Sequence, residues 1–570
     1  MVMRLPPNDK ELRAPRNKRN NRKLRKALRV FAVARFRCGA TRPFASSFVG
    51  RKPAVSCGMQ SWNFGSFKTL AANLATMLFL ASSSSMAAVI NVGPGDSYTK
   101  IEAANPGDEV VIAPGTYAFR VYLTKQASPT NPITIRAQDP LNRPIWDFGT
   151  NLVENAPGSY TAGDRGRGGW QFSGAQSYNL SGIVFKNSRT ASKNSAGIRY
   201  YNSTTNLYIK DCLFTLNDDG LTGGTQESQA TVEFCEFNAN GNTGASLSSP
   251  THNIYVYGGY LTLRYCYVHD SVQGQNFHIR CRNSTLEYNW FARANNYEGD
   301  LMTDDDFTGT GPFTQTMTLR GNVFVQNASP SNTGQEIALF NDTGLTNLTL
   351  SLHALYNTFV GNGGSTAFVH VSNANGTSMR VEISDNIISG TTRPTLIENA
   401  SKAVVTGVNN WISSTGTSSP LTGCVQTSTP GFRNPNGSDY TLLPSSPCIR
   451  AASASVYGLP GKEYYLNETT NRMWRVRAAA RDIGAFESTS TATSVGPYDL
   501  PPRPTLSIAL AGNNAQLSWP LFAQDYVLQQ KDLSGLSSWT TTAGTYFTNA
   551  SSVTVMTPST VGQGLFRLQR

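Results

Sequence analysis

The segment Asn276 to Arg282 reads NFHIRCR, and in it Phe277, Ile279 and Cys281 alternate with His278, Arg280 and Arg282. A β-strand sends such alternating sets to opposite faces, so one set fills a core while three nitrogen-rich side chains face solvent. The pattern has a copy 23 residues earlier, where Leu263 falls on Leu286, Tyr265 on Tyr288, Cys266 on Asn289, Tyr255 on His278 and Tyr257 on Arg280. A short unit of the same kind, mostly Cys or Asn followed by a variable and then an apolar residue, recurs at Ile183, Cys212, Cys235, Cys266, Asn289, Asn322, Asn357, Asn386 and Asn410, with spacings of 29, 23, 31, 23, 33, 35, 29 and 24. Short β-type runs with a period in the twenties to thirties, joined by Gly, Asn and Asp turns, predict a stacked β-solenoid, and the unequal spacings predict loops of differing length on one side. Asn tolerates left-handed turn geometry and hydrogen-bonds its counterparts above and below, while a thiol in the same file acts as a small hydrophobe. Cys212, Cys235 and Cys266 are therefore expected to stack inside, with Asn289, Asn322, Asn357 and Asn386 continuing their file.

The pattern changes after Glu487. Residues 488–504, STSTATSVGPYDLPPRP, read as a linker, and the alternating runs LSIAL, AQLSW, YVLQQ, SVTVM and LFRLQ in residues 505–570 predict a small antiparallel β-sandwich module. Its Trp519, Trp539 and Phe566 are expected in the module's core rather than as sugar platforms, because such rings dominate small β cores. At the other end, the apolar run Thr69 to Ala81 follows a short segment from Met59 that carries one Lys, and precedes SSSSMAA. That is the three-part form of a secretory signal, and the run is too short for a bilayer, which needs roughly 20 residues. Residues 59–88 are read as a signal peptide and 1–58 as a basic leader outside the fold, placed there by an early start codon. The mature chain is expected to begin near Ala88 or Val89, to carry no transmembrane helix and to be secreted or held at the cell surface.

Charge supports this division. The net charge is +12, but residues 1–58 hold 16 basic and 2 acidic residues, leaving 32 against 34 afterwards. The remainder is near neutral and rich in Gly, Asn, Ser and Thr, which argues against a nucleic-acid partner and for a β-rich exported protein; it is expected to be a monomer. Six cysteines lie beyond the leader with no metal-type pair spacing. Cys424 and Cys448, in a loop-rich part of an exported chain, are candidates for a disulfide.

Val92 to Tyr117, VGPGDSYTKIEAANPGDEVVIAPGTY, has a short helix-like IEAA, then PGD, an apolar strand and PGTY; the closing segments are SSPCIRAAS (Ser445 to Ser453) and RDIGAFE (Arg481 to Glu487). Over about Val89 to Glu487 the chain resembles parallel β-helix proteins of the pectin-lyase-like superfamily. The resemblance implies a right-handed parallel β-helix solenoid, which together with the small C-terminal β-sandwich-like module makes the expected architecture all-β. That superfamily includes polysaccharide lyases, glycoside hydrolases, epimerases and binding proteins, so the reaction must be argued from the site.

Strand parity places Asn253, Tyr255 and Tyr257 outward beside His278, Arg280 and Arg282, with Glu336 and Phe340 on a later coil. YEGDLMTDDDF adds Glu298, Asp300, Asp304, Asp305 and Asp306. Cations, phenols and carboxylates on adjacent coils suit a groove for an acidic, uronate-containing polysaccharide. A lyase working by β-elimination must neutralise the sugar carboxylate, remove the C5 proton and help the glycosidic oxygen leave. Arg280 and Arg282 suit the first task through their donor forks. His278 is the candidate base, and Tyr255 assists proton transfer if a neighbouring cation lowers its pKa. Asn253, Tyr257 and Glu336 are candidate substrate contacts. Related β-helix lyases often use an Arg or Lys base and bind Ca²⁺, which by resemblance makes Asp300, Asp304, Asp305 and Asp306 candidate Ca²⁺ ligands. Oxygen donors suit that ion, though three consecutive Asp do not make an EF-hand loop.

Two further readings stand beside the lyase. NDDGL, Asn217 to Leu221, resembles acidic elements of polygalacturonase-like hydrolases, which need two carboxyl groups roughly 5 to 9.5 Å apart. The family's Gly-His-Gly and Arg-Ile-Lys elements are missing, and Asp218 and Asp219 equally suit a turn between coils. The other reading is a non-catalytic surface adhesin or glycan-binding solenoid.

Overall fold

The structure is a computed structural model that describes residues 87–570, apart from 161–166, 226, 245–250, 305–306, 308–310, 328–334, 342–344, 346, 362–366, 374–377, 391–395, 417, 454–458, 466–471, 478–480, 489–492, 533–537, 550, 559–563 and 570. Among the described residues, three long parallel sheets form the walls of a solenoid. The first has 12 strands, from Val89–Val92 to Val404–Thr406; the second has 10, from Val121–Leu123 to Ile397–Glu398; the third has 12, from Thr116–Tyr117 to Val425–Thr427. Each coil visits the second, first and third sheets in turn, so the protein is a parallel β-helix.

The 23-residue repeat is one coil. Ile254–Tyr257, Tyr260–Arg264 and Tyr267–His269 lie beside Phe277–Arg280, Asn283–Glu287 and Trp290–Ala292, with Tyr255 paired to His278, Tyr257 to Arg280 and Leu263 to Leu286. Inward positions stack on their own kind: the rings of Phe214 and Phe237 are 4.5 Å apart and nearly parallel, as are those of Phe324 and Phe359. Tight corners set the register. A Cβ on Gly259, at φ +49°, would lie 1.9 Å from the Ser228 carbonyl oxygen, so the chain turns there only with glycine.

The expected file runs through the corner between the first and third sheets. The backbone N–H of Cys212 meets the Cys235 sulfur at 3.4 Å, and that of Cys235 meets the Cys266 sulfur at 3.4 Å. The Cys266 N–H then donates to Asn289 Oδ1 at 2.9 Å, and the pattern passes through Asn322, Asn357 and Asn386 to Asn410. Each amide takes the N–H of the coil before it, which satisfies a turn that would otherwise bury orphan donors.

A second buried file, at the corner leading into the second sheet, joins Asn217, Asn240, Asn253 and Asn276 by amide-to-amide bonds of 2.7 to 2.8 Å and then reaches the Glu298 carboxyl at 2.6 Å. Cys424 and Cys448 are free thiols, which corrects the disulfide expectation. Cys448 is enclosed in the cluster against the C-terminal segments, whereas Cys424 packs at the edge of the solenoid core.

Beyond the last coil the chain folds back along the solenoid. Lys462–Tyr464 pairs with Trp474–Val476, and Trp474 bridges to Val495, so part of the stretch between solenoid and module is itself anchored. Arg472 is buried between Asp211 at 3.0 Å and Glu236 at 2.6 Å. The terminal module is the expected sandwich of a four-stranded and a three-stranded antiparallel sheet. Trp519 is in its core, with Nε1 bonded to the Ala523 carbonyl at 3.0 Å. Trp539 differs from expectation: it lies half-buried under the Arg567 guanidinium, 4.4 Å from the ring centre.

Candidate functional site

Three outward columns of the second sheet carry the polar cluster. The middle column reads Gln171, Arg199, Thr222, Tyr255, His278, Asp300, Ala338 and His370 in consecutive registers. Tyr257 and Arg280 pair in the next column, and His252, Gln275 and Tyr297 stand just ahead of the strands. Parity thus brings together Tyr255, Tyr257, His278 and Arg280 as the sequence predicts, and adds Asp300 directly beside His278.

His278 is fixed on both ring nitrogens. Its Nδ1 lies 3.0 to 3.1 Å from the Asp300 carboxylate, itself only 1% exposed, and Asp300 also accepts from the Tyr297 hydroxyl at 3.0 Å. Arg280 Nε donates to His278 Nε2 at 3.2 Å, and Arg280 Nη1 to the Thr303 carbonyl at 2.9 Å. A guanidinium cannot accept, so His278 Nε2 must, and the ring proton sits on Nδ1 facing Asp300. The His278 ring meets the edge of Tyr255 at 4.7 Å and stacks on His252 at 4.8 Å.

The His252 Nδ1 accepts from the Gln275 N–H at 3.1 Å. Burial, and then the neighbouring His278 and Arg280, hold the His252 pKa well below the ordinary imidazole value, so this ring is neutral. Asp219 accepts the His252 N–H at 2.7 Å, and burial, with Asp218 adding, pushes its pKa up to about 8.

Several predicted residues are placed elsewhere. Asn253 and Glu336 are fully buried, which corrects their reading as substrate contacts. Asn253 precedes the strand that begins at Ile254, at a corner where alternation does not hold, and belongs to the amide file. Glu336 is sealed near Glu298; its two oxygens have no hydrogen-bond partner, and burial with the Glu298 charge raises its pKa well above the usual range. Arg282 does not share the strand of His278, which ends at Arg280; it lies at the bend with its guanidinium 5.5 Å over the Phe307 ring. Arg280 itself is 8% exposed and committed to its neighbours.

Asp218 and Asp219 are buried, and Asp218 accepts from the N–H groups of Thr190 and Ser195 and from Asn242, which supports the turn-shaping reading of NDDGL. Of the acidic run, Asp304 is buried and Asp305 and Asp306 lie outside the described residues. Asp300 is held by His278 and Tyr297, and among the described residues no three His, Cys, Asp or Glu side chains converge as a metal site.

Arg199 is the residue that sequence reasoning passed over. It lies three registers from His278 on the same outward column, and its Nη1 has no hydrogen-bond partner. The alternation in GIRYY pointed it outward, but only the observed register puts it on the column of His278.

No family model and no curated protein matches the sequence. Among solved structures, the chain is similar to an alginate lyase from Paenibacillus sp. str. FPU-7, at 12% identity and a TM-score of 0.36, covering 56% of this chain and 99% of that one. It is also similar to a mannuronic acid specific polysaccharide family 6 lyase from human gut microbiota, at 11% identity and a TM-score of 0.33, over 57% and 86% of the two chains. A third is the tailspike protein gp49 of Acinetobacter baumannii bacteriophage Fri1, a capsular polysaccharide depolymerase, at 11% identity and a TM-score of 0.35, over 84% and 83%. Likenesses at this level carry no argument about reaction, which rests on the side chains. Among the described residues no helix is long and apolar enough to cross a membrane.

Proposed function

We propose that the protein is an exported polysaccharide-processing enzyme, a lyase that cleaves an acidic, uronate-containing glycan by β-elimination on the outward face of the second sheet. The observation that carries this reading is the His278 ring, held with Nδ1 on the buried Asp300 carboxylate and Nε2 as its one proton-accepting nitrogen. On glycan binding, Nε2 exchanges the Arg280 contact for the C5–H of the uronate; apo hydrogen bonds at catalytic sites often rearrange in this way. Nε2 takes the C5 proton, the electron pair moves toward the sugar carboxylate, and Asp300 stabilises the imidazolium. The pair then forms the C4–C5 double bond as the C4–O bond breaks, and the Tyr255 hydroxyl, on the edge of the same ring, protonates the departing oxygen. Arg280 sets a positive charge beside the developing enolate. Arg199 supplies a guanidinium farther along the column for a second carboxylate.

The test is incubation of residues 89–570 with uronate-containing and neutral polysaccharides, following both ultraviolet absorbance of unsaturated products and new reducing ends. Both signals together support the lyase, and new ends without absorbance reject it in favour of hydrolysis. Retention of a glycan with neither signal rejects it in favour of the non-catalytic solenoid.

A further inference from the structure

A second cleft lies on the opposite flank, between the solenoid and the C-terminal sandwich, and it does not depend on the catalytic reading. Its volume is ≈ 490 Å³, within the range of small-ligand sites. The solenoid contributes Arg264, Glu287 and Arg320, which occupy one register at the ends of three successive first-sheet strands, and the stacked corner residues Tyr265 and Tyr288. The sandwich contributes Trp519, Gln524, Asp525, Tyr526 and Tyr546. Ion pairs and a hydrogen bond tie the two walls: Asp525 lies 3.6 Å from Arg264 and 3.4 Å from Lys462, and Gln524 bonds the Tyr288 hydroxyl at 3.3 Å.

Three features define the ligand. The cations Arg264, Arg320 and Lys462 are paired with Glu233, Glu287 and Asp525, so the lining does not select for a strongly charged anion. Two buried polar atoms of lining residues, Arg264 Nε and the Tyr265 hydroxyl oxygen, have no hydrogen-bond partner. Leaving such groups unpaired is costly, and a partner in the cleft would have to accept from one and exchange a hydrogen bond with the other. Finally, the Tyr546 ring is 41% exposed at the cleft and offers a face for an apolar ring surface. A hydroxyl group both accepts and donates, and a pyranose adds an apolar face. We propose that this cleft binds a neutral sugar unit of a glycan, making the sandwich one half of a second carbohydrate site.

Calorimetric titration of residues 89–570 with cellohexaose, mannohexaose, xylohexaose, maltohexaose and laminarihexaose, and with oligogalacturonate as the acidic comparison, tests this. At least one neutral oligosaccharide should bind, and His278→Ala should bind it equally. Tyr265→Phe should weaken that binding about tenfold or more without lowering the thermal midpoint, since it removes an oxygen the free protein leaves unpaired. A purely structural role for that hydroxyl would not give this opposite pair of effects. Tyr546→Ala should also weaken binding. The proposal is overturned if none of the five neutral sugars binds, if binding is unchanged in both Tyr265→Phe and Tyr546→Ala, or if oligogalacturonate alone binds in a Tyr546-dependent manner.

Discussion

The His278 ring can take up a proton only at Nε2, because Asp300 fixes the other nitrogen as the donor. Replacing Asp300 by Asn would present a carboxamide that can donate as well as accept and release the tautomer, so Asp300→Asn should lower turnover on the order of 10²-fold or more with little change in unfolding. Steady-state rates on a cleaved uronate polymer check this.

The buried acids give a separate prediction. Burial raises the pKa of both Glu298 and Asp219 to about 8, above their ordinary values of 4.5 and 3.8. A group protonated in the fold but ionised when unfolded adds stability that is complete below its unfolded pKa and is lost as pH rises through the folded one. The thermal midpoint should therefore fall between about pH 5 and pH 9, and Glu298→Gln should flatten the decline; a midpoint that rises to pH 9 contradicts it. Tyr255, Tyr257, His278 and Arg280 were legible from the sequence because they lie within strands, where alternation holds. Asn253 and Arg282 were misplaced because they sit at corners, and Asp300 and Arg199 were not joined to His278 because only the pairing of successive coils sets their register.

At the scale of the element, the Cys and Asn file was legible as a repeat because a single chemical demand, pairing the N–H of each stacked turn, recurs once per coil. Asn357 accepts from the Asn322 backbone and side chain and donates to the Leu319 carbonyl and to Asn386. Asn357→Ala should cost about 3 kcal/mol or more, since it strands several buried partners at 1–3 kcal/mol each. Cys212→Ala, which removes a weak sulfur contact, should cost clearly less. Urea unfolding of the two variants compares them, and equal losses would contradict the role given to the amides. The second file was not read from the sequence, because Asn217, Asn240, Asn253 and Asn276 follow loops of different lengths and share no constant neighbour.

Across the whole molecule, the C-terminal segment is part of the fold rather than an appendage. Leu517, Trp519 and Leu521 of the sandwich share an apolar cluster with Leu355, Tyr356, Ile387 and Trp411 of the solenoid. Arg472 holds the returning chain against Asp211 and Glu236. Arg472→Met should leave these carboxylates short of a buried cation and destabilise the protein by about 3–5 kcal/mol, read from the unfolding midpoint. The alternating runs of residues 505–570 announced the sandwich but not its docking, which depends on corner side chains such as Tyr265 and Tyr288 that point away from the solenoid core. Elimination centred on His278 makes that imidazole indispensable to turnover. The most direct measurement is the absorbance of unsaturated products released from a uronate polymer by the parent and by His278→Ala at equal folded concentration. A steady rise is expected with the parent and a rate at least about 10²-fold lower with the variant; equal rates in the two would contradict a catalytic role for His278.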